Sequence, residues 1–395
     1  MQKRTIEQLP LDGRRVLMRV DFNVPLANGM VKDDTRILAS LPSIKYALAH
    51  NARLILMSHL GRPKGQPKSE FSMAPVAQRL AEILGQPVAF AADCVGPAAE
   101  AAVADLAPGQ ALVLENLRFH AEEEKNGGQF AQQLAALGDV YINDAFGSSH
   151  RAHASVVGVP ALLAESGVGY LMLTELNHLG RLLEHPPRPF AVLLGGAKVS
   201  DKIGVISNLL NIADTLLIGG AMAFTFLRAQ GLNTGKSLVE EDKLDLAREL
   251  LAAAETKHVK LLLPVDVTGA GEIKPGITVR IVPAAEIPDE LMGLDIGPKT
   301  IAQFKQALTG AATIFWNGPM GVFEVDGFDR GTLAMAQTLV QSGAMTVVGG
   351  GDSVSALNKT GLQDKITHIS TGGGASLEFM EGQALPGVVA IPDAL

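Results

Sequence analysis

The amino-acid sequence predicts an α/β protein of two doubly wound lobes, each built on a parallel sheet, joined by a helix that serves as a hinge. Three observations carry that expectation. Apolar, β-rich runs alternate with helical patterns along the whole chain, as βαβ units do. The runs are nearly continuous in Val, Leu and Ile rather than alternating, which marks strands buried on both faces. The length of 395 residues, 47% of them hydrophobic and 19% charged, suits about two globular domains of ordinary size.

The first half contributes the runs RVLMRVDFN (15–23), LILMSHLGR (54–62), LVLENLRFH (112–120) and VYINDAFGSSHRAH (140–153). Four to six strands are expected before residue 170, with the helical pattern SMAPVAQRLAEILG (72–85) among the crossovers. Next comes YLMLTELNHLGRLLEHPPRPF (170–190), a helical pattern closed by three prolines; proline cannot continue a helix, so HPPRP marks a boundary. After residue 190 about six strands are expected, including AVLLGGAKVSDK (191–202), TLLIGGAM (215–222), VVGGGDS (347–353) and ISTGGGAS (369–376), with a helix over 242–257. No internal repeat or low-complexity tract interrupts the pattern.

Composition excludes several functions. A net charge of −8 argues against nucleic-acid binding, which needs an excess of Lys and Arg. The single cysteine, Cys94, excludes an intramolecular disulfide and a zinc cluster built on cysteines, and suits a reducing compartment. Cys94 is read as a buried small hydrophobe. The N-terminal MQKRTIEQLPLDG lacks the apolar core of a signal peptide, and no run of ~18 apolar residues follows, so a cytoplasmic protein without membrane contact is expected.

The strand-like runs end differently in the two halves. In open α/β sheets ligands bind beyond the carboxyl ends of the strands, so two chemistries there imply two ligands. The first-half runs break into charged residues: Asp21 and Asn23, then Arg36, His59 with Arg62, Arg118, and Arg151. Arginines at the ends of separate strands converge on one face, and guanidinium forks bind carboxylate and phosphate bidentately. The cluster therefore suits an anion bearing those groups, with Asp21 and Asn23 available to a hydroxyl. Taken singly, each arginine also fits an ordinary surface ion pair. His50 and His120 are read as structural, since a zinc site would need a third defined ligand.

The second-half runs break into glycine. Glycine lets the backbone approach a phosphate, and a following helix aims its N–H groups at the anion. Such turns occur in GGAKVSDK, GGGDS and TGGGAS. The first adds Lys198 and Lys202; the second adds Asp352, a natural holder of Mg2+, which takes one or two carboxylates plus substrate oxygens. Glu324 is placed to accept a ribose hydroxyl. The segment GLNTGKS (231–237) has three residues between its glycines where a P-loop needs four, and is assigned no phosphate role. No HRD or DFG set of a protein kinase is present.

Taken in order, VDFNVP, SHLGRP, ENLRFH, NDAFGSSHRAH, GGAKVSDK, IGGAMAFTFL, WNGPMGVFE, GGGDS and STGGGASLE closely resemble the phosphoglycerate kinase family, across residues 20–378. GSSHRAH stands where the family more usually has GTAHRAH. The resemblance implies two Rossmann-like lobes: 1–170 with about 378–395 for 3-phosphoglycerate, an interdomain helix and hinge at 171–188, and 189–377 for the nucleotide. It implies a substrate side of Asp21, Asn23, Arg36, His59, Leu60, Gly61, Arg62, Arg118 and Arg151. It implies a nucleotide side of Lys202, Gly293, Asn317, Glu324, Gly350, Gly351, Asp352 and Ser353, with Asp352 on Mg2+ and ATP or ADP as co-substrate. Arg36, Lys198, Lys202 and the Gly372, Gly373 and Gly374 amides would surround the moving phosphoryl group, in a monomer. The carboxylate acceptor is already ionised at neutral pH, so no general base is required. Three other readings stay open on the residues alone: a hinged anion-binding protein, a kinase for another small acid, and an inactive relative kept for a partner interaction.

Overall fold

A computed structural model describes residues 2–394. It divides into two compact units: the chain up to Asn177 together with the part from Ala384 on, and His178–Gln383.

The first unit is built on six strands in the order Val88–Phe90, Ala111–Val113, Arg53–Met57, Arg15–Val20, Val140–Asp144 and Glu165–Val168. All neighbours run parallel. Val16, Leu17 and Met18 are consecutive and all fully buried, as a strand covered by helices on both faces requires. The expected helix over 72–85 is Ala74–Leu84, with Pro75 in its first turn and Gly85 ending it at φ 66°. The chain places Arg53–Met57 on one side of Arg15–Val20 and Val140–Asp144 on the other. That reversal is a switch point, where an open sheet leaves a crevice.

The C-terminal residues return to this unit. Asn143 Nδ2 donates to the Gly387 carbonyl (3.0 Å), Gly387 N to the Ser149 carbonyl (2.8 Å), and Lys3 pairs with Asp393 (2.7 Å).

The second unit has the order Lys260–Leu262, Thr215–Ile218, Phe190–Leu194, Thr313–Asn317, Met345–Gly349 and His368–Ile369, again parallel. This is the strand order of a dinucleotide-binding sheet, with its switch point between Phe190–Leu194 and Thr313–Asn317. The helix expected over 242–257 is Leu244–Thr256.

Six strands per main sheet agree with the expectation, but the second half holds more than the six expected. Arg280–Pro283, Asp266–Ala270 and Met292–Ile296 form an antiparallel sheet with its own apolar cluster, including Phe224, Val267, Val282 and Leu291. Two of its strands carry glycine (DVTGA, MGLDI) and the third is only four residues long (RIVP), so neither periodicity nor β-propensity announces them. The helix Tyr170–Glu184 runs across the division between the units and stops before the prolines. Among the described residues no helix is long and apolar enough to cross a membrane.

Candidate active site

In the first unit the expected anion residues gather at the switch point. The strand Arg15–Val20 runs into Asp21, and the turn is pinned by buried Phe22, whose N–H donates to Ser58 Oγ (2.9 Å). Arg36, in the first turn of the helix Thr35–Ala49, pairs through Nη1 with Asp21 Oδ2 at 2.7 Å. The other oxygen, Asp21 Oδ1, is buried without a partner. A buried acceptor left unpaired costs about 1–3 kcal/mol, so it is a position where a ligand hydroxyl is stabilising. Asn23 Oδ1 accepts from Gly61 N (2.9 Å) and Arg118 Nη1 donates to the Gly61 carbonyl (3.0 Å), tying three expected residues to one turn.

Arg118 Nε lies 3.4 Å from Glu124 but without hydrogen-bond geometry. Burial lowers the Arg118 pKa; Glu124 opposes that shift, while Arg19 and Arg62 add to it. Burial first, then the charges of Arg19, Arg118, His153 and Arg36, holds His59 well below the ordinary histidine range. His153 falls to about 4, chiefly by burial and then through Arg118, Arg19 and Arg151. Both imidazoles are therefore neutral at pH 7, and the arginines supply the positive charge. Arg62 and Arg151 are exposed, Arg151 with its Nε on His150 Nε2 at 2.9 Å. Leu60 is buried, held through both backbone groups by Asn116.

Sequence reasoning missed the supports beneath this cluster. Asn116 also accepts from Arg118 N (3.0 Å), so one amide fixes the SHLG turn and the arginine together. Arg19 is fully buried; Nη2 lies 3.0 Å from His59 Nδ1 and Nε donates to Ser155 Oγ (2.9 Å). Ser155 in turn donates to buried Glu123 (2.5 Å). An arginine inside the apolar run RVLMRV was the available signal for Arg19. His120 has Nε2 on Asp93 (2.7 Å) and its ring stacked on Phe130.

In the second unit the switch point is made by two backbones passing in near contact. A Cβ on Gly195 would lie 2.0 Å from the Pro319 carbonyl oxygen, and one on Gly318 would lie 2.2 Å from that of Gly195. Asn317 ends the strand Thr313–Asn317; it is buried and its Nδ2 has no partner. Gly350, at φ 89°, caps the helix Gly351–Thr360 beside that amide. Ser353 is buried and its Oγ accepts from Gly318 N (2.5 Å), locking the GGGDS and WNGP turns together.

Lys202 is buried, with Nζ 3.4 Å from the Asn317 carbonyl. Burial pushes its pKa down to about 8, against the upward pull of Asp352 and Asp201. Asp352 is exposed in the first turn of Gly351–Thr360. A cavity of about 390 Å³ is lined by Gly196, Gly220, Gly293, Glu324 and Asp352, among others. Gly293 lies over Phe224, where a Cβ would meet the ring at 2.1 Å, and its N–H donates to Ser237 Oγ (2.9 Å). Lys236 and Leu238 also line this cavity, so the GLNTGKS region, set aside as a false P-loop, supplies part of the wall. Lys198 is exposed, and Gly373 (φ 54°) precedes the helix Gly374–Met380. That helix ends against Ile203–Leu209, the helix that Lys202 caps, with Asn208 Nδ2 donating to the Met380 carbonyl (2.9 Å).

Two Rossmann-type units, one with a cationic crevice and one with glycine turns and a nucleotide-sized cavity, describe a kinase of the two-lobed α/β class. The comparisons identify which. The phosphoglycerate kinase family model matches residues 6–383. The phosphoglycerate kinase of Pelotomaculum thermopropionicum is 57% identical over 393 residues, and that of Synechococcus elongatus 55% over 401, each covering all of both chains. The solved structure of phosphoglycerate kinase from Coxiella burnetii superposes with a TM-score of 0.91 at 40% identity, and that from Pyrococcus horikoshii with 0.81 at 31%, each covering 98% of both chains. The chain belongs to the phosphoglycerate kinase family, and is an enzyme that transfers phosphate to a carboxyl group.

Proposed function

We propose that the protein moves the acyl phosphate of 1,3-bisphosphoglycerate to MgADP, giving 3-phosphoglycerate and ATP, reversibly, in glycolysis and gluconeogenesis. The observation that carries this reading is the pair of unlike switch points, one lined by cationic side chains around an unpartnered carboxylate oxygen and one by glycine backbones around an unpartnered amide.

The first unit takes the phosphoglycerate. Arg36, Arg62, Arg118 and Arg151 neutralise its carboxylate and phosphate, and neutral His59 supplies hydrogen bonding. Asp21 and Asn23 take up its hydroxyl, and the Leu60–Gly61 turn presents backbone. The second unit takes the nucleotide. Gly293 and Glu324 line its base and ribose cavity, Asn317 Nδ2 donates to its phosphates, and Gly350, Gly351 and Ser353 offer the amides of a helix start. Asp352 fits Mg2+, because its carboxylate is exposed at the cavity edge and one carboxylate plus substrate oxygens is an ordinary ligand set for that ion. Bound there, the ion would neutralise charge on the nucleotide phosphates.

The acceptor carboxylate needs no base, so catalysis reduces to alignment and charge neutralisation on the transferred group. Arg36 comes from one unit and Lys198, Lys202 and the Gly372–Gly374 amides from the other, so the step requires the units to close, with the helix Tyr170–Glu184 and its flanks as hinge. Closure also keeps water from the acyl phosphate. We place the enzyme in the cytoplasm, a reading that the single cysteine in the sequence supports, and take it to be a monomer.

The test is purified protein with MgATP and 3-phosphoglycerate, coupled through glyceraldehyde-3-phosphate dehydrogenase to NADH oxidation, with Asp352→Ala alongside. Rapid turnover that the substitution cripples is expected. A folded, ATP-binding protein that leaves 3-phosphoglycerate untouched would overturn the substrate assignment.

A further inference from the structure

We propose a transition-metal site of the zinc class at Asp93, Cys94 and His120, in the first unit and separate from its anion crevice. The topology assembles it. The strands Val88–Phe90 and Ala111–Val113 are adjacent and parallel at the edge of the sheet. The first is followed by the turn that carries Asp93 and Cys94; the second leads through Leu117–Phe119 to His120. One ligand atom from each of the three residues lies within 4.8 Å of the other two.

The donor set suits Zn2+. Thiolate, imidazole and carboxylate are its ordinary ligands, and tetrahedral bonds of about 2.0–2.3 Å place ligand atoms about 3.3–3.6 Å apart. His120 Nε2 and Asp93 Oδ1 are now joined by a hydrogen bond of 2.7 Å. An ion takes the place of the shared proton if that pair opens by about half an ångström. The Cys94 N–H also donates to Asp93 Oδ1 (2.7 Å), so the backbone already orients the carboxylate.

A cavity of about 440 Å³ is lined by Lys68, Asp93, Glu115 and His120, giving an ion and a water ligand a route to the carboxylate and the imidazole; Cys94 is fully buried and not on its wall. Glu115 on the same wall is buried, and its carboxylate accepts from Ser72 Oγ, Met73 N and Asn116 N (2.7 Å each), so it braces the wall and leaves the ligation to the three residues named. On binding, the thiol proton leaves to solvent and sulfur ligates as thiolate. The histidine that sequence reading set aside for want of a third ligand thus acquires two partners from one turn.

The test is Co2+ titration of tag-free, chelator-treated, nucleotide-free full-length protein, read by absorption. Cobalt bound by a thiolate gives a near-ultraviolet charge-transfer band with intense tetrahedral d–d bands; cobalt bound by oxygen alone, as at Asp352, gives neither. One equivalent of Co2+ is expected to produce both features, and Zn2+ to displace it. Cys94→Ser should abolish the charge-transfer band, and His120→Gln and Asp93→Asn should each weaken binding by at least about tenfold. His120 is partly exposed, so His120→Gln keeps the test decisive if Cys94→Ser fails to fold, with circular dichroism as the check on folding. Absence of the thiolate band in the parent protein, or binding unchanged in both His120→Gln and Asp93→Asn, overturns the proposal.

Discussion

The two units share an architecture and differ in how they would hold a ligand. Each has six parallel strands and one switch point. In the first, the crevice is furnished by long side chains: Arg36 braced on Asp21, Arg118 braced on Gly61, and His59 kept neutral by burial and neighbouring guanidinium groups. In the second it is furnished by main chain, with Gly195 and Gly318 so close to facing carbonyls that neither position accommodates a methyl group. One fold thus supports two recognition chemistries. On the proposed function, side chains would read a small, multiply charged acid, and bare backbone would admit a phosphate chain.

The contrast makes the units differ in what breaks them. The largest effect is expected from Arg36→Ala, which on the proposed function would remove charge stabilisation at the transferred group. Its kcat should fall by about 10²–10³, with KM for MgATP within about twofold, measured in the coupled assay. Equal loss of nucleotide affinity would contradict a division of labour between the units.

Next in size is Gly195→Ala. A Cβ 2.0 Å from the Pro319 carbonyl must push one backbone away from the other, at a cost of about 1–3 kcal/mol or more. A lower Tm and weakened ATP binding are expected, with 3-phosphoglycerate binding retained. Gly128→Ala is the control, because a Cβ there meets nothing within 4 Å and Gly128 opens a helix of the first unit outside both ligand sites, and calorimetry on both variants separates a backbone effect from a loss of glycine as such.

Much of this was legible in the sequence, and the parts that were not have physical reasons. The two main sheets followed from continuous apolar runs, and the gathering of Asp21, Asn23, Arg36 and Arg118 in one crevice from the charges that end them. The antiparallel sheet Asp266–Ala270 with Met292–Ile296 was not legible, because its order comes from long-range pairing and close approach at Gly269 and Gly293. Arg19, Asn116 and Glu123 were also missed. Nothing local distinguishes a buried asparagine that braces two turns from a loop residue, since its role lies in partners 56 and 45 positions away, at Leu60 and Phe71.

A third prediction concerns pH. Lys202 titrates at about 8 because burial disfavours its charge, so the free enzyme loses that cation as pH rises through about 8. KM for MgADP should climb on the alkaline side, approaching tenfold per pH unit where Lys202 dominates phosphate binding. Lys202→Met should show a raised KM without that alkaline rise. A parent profile that stays flat from pH ~7 to ~9.5 would remove Lys202 from the phosphate site.

The smallest effect compares one buried carboxyl in each unit. Asp144 is pushed up to about 7 and Asp295 to about 8, both by burial, although each accepts backbone hydrogen bonds. A raised carboxyl pKa means the folded state binds the proton more tightly. The stabilisation is therefore complete below about pH 4 and is lost as pH rises through the folded values. Thermal melts across about pH 5–9 should show Asp144→Asn and Asp295→Asn losing less stability than the parent protein, with the Asp144 effect levelling off near pH 7 and the Asp295 effect continuing to about pH 8.

The central claim is that the two switch points take two different ligands. Isothermal titration of 3-phosphoglycerate and of MgATP into the parent protein, Arg118→Ala and Gly350→Ala tests it directly. Arg118→Ala is predicted to lose at least about tenfold in 3-phosphoglycerate affinity and keep MgATP binding. Gly350→Ala, strained at φ 89° and crowded against Asn317, should do the reverse. A variant that loses both ligands while remaining folded, or that loses the wrong one, would contradict the account.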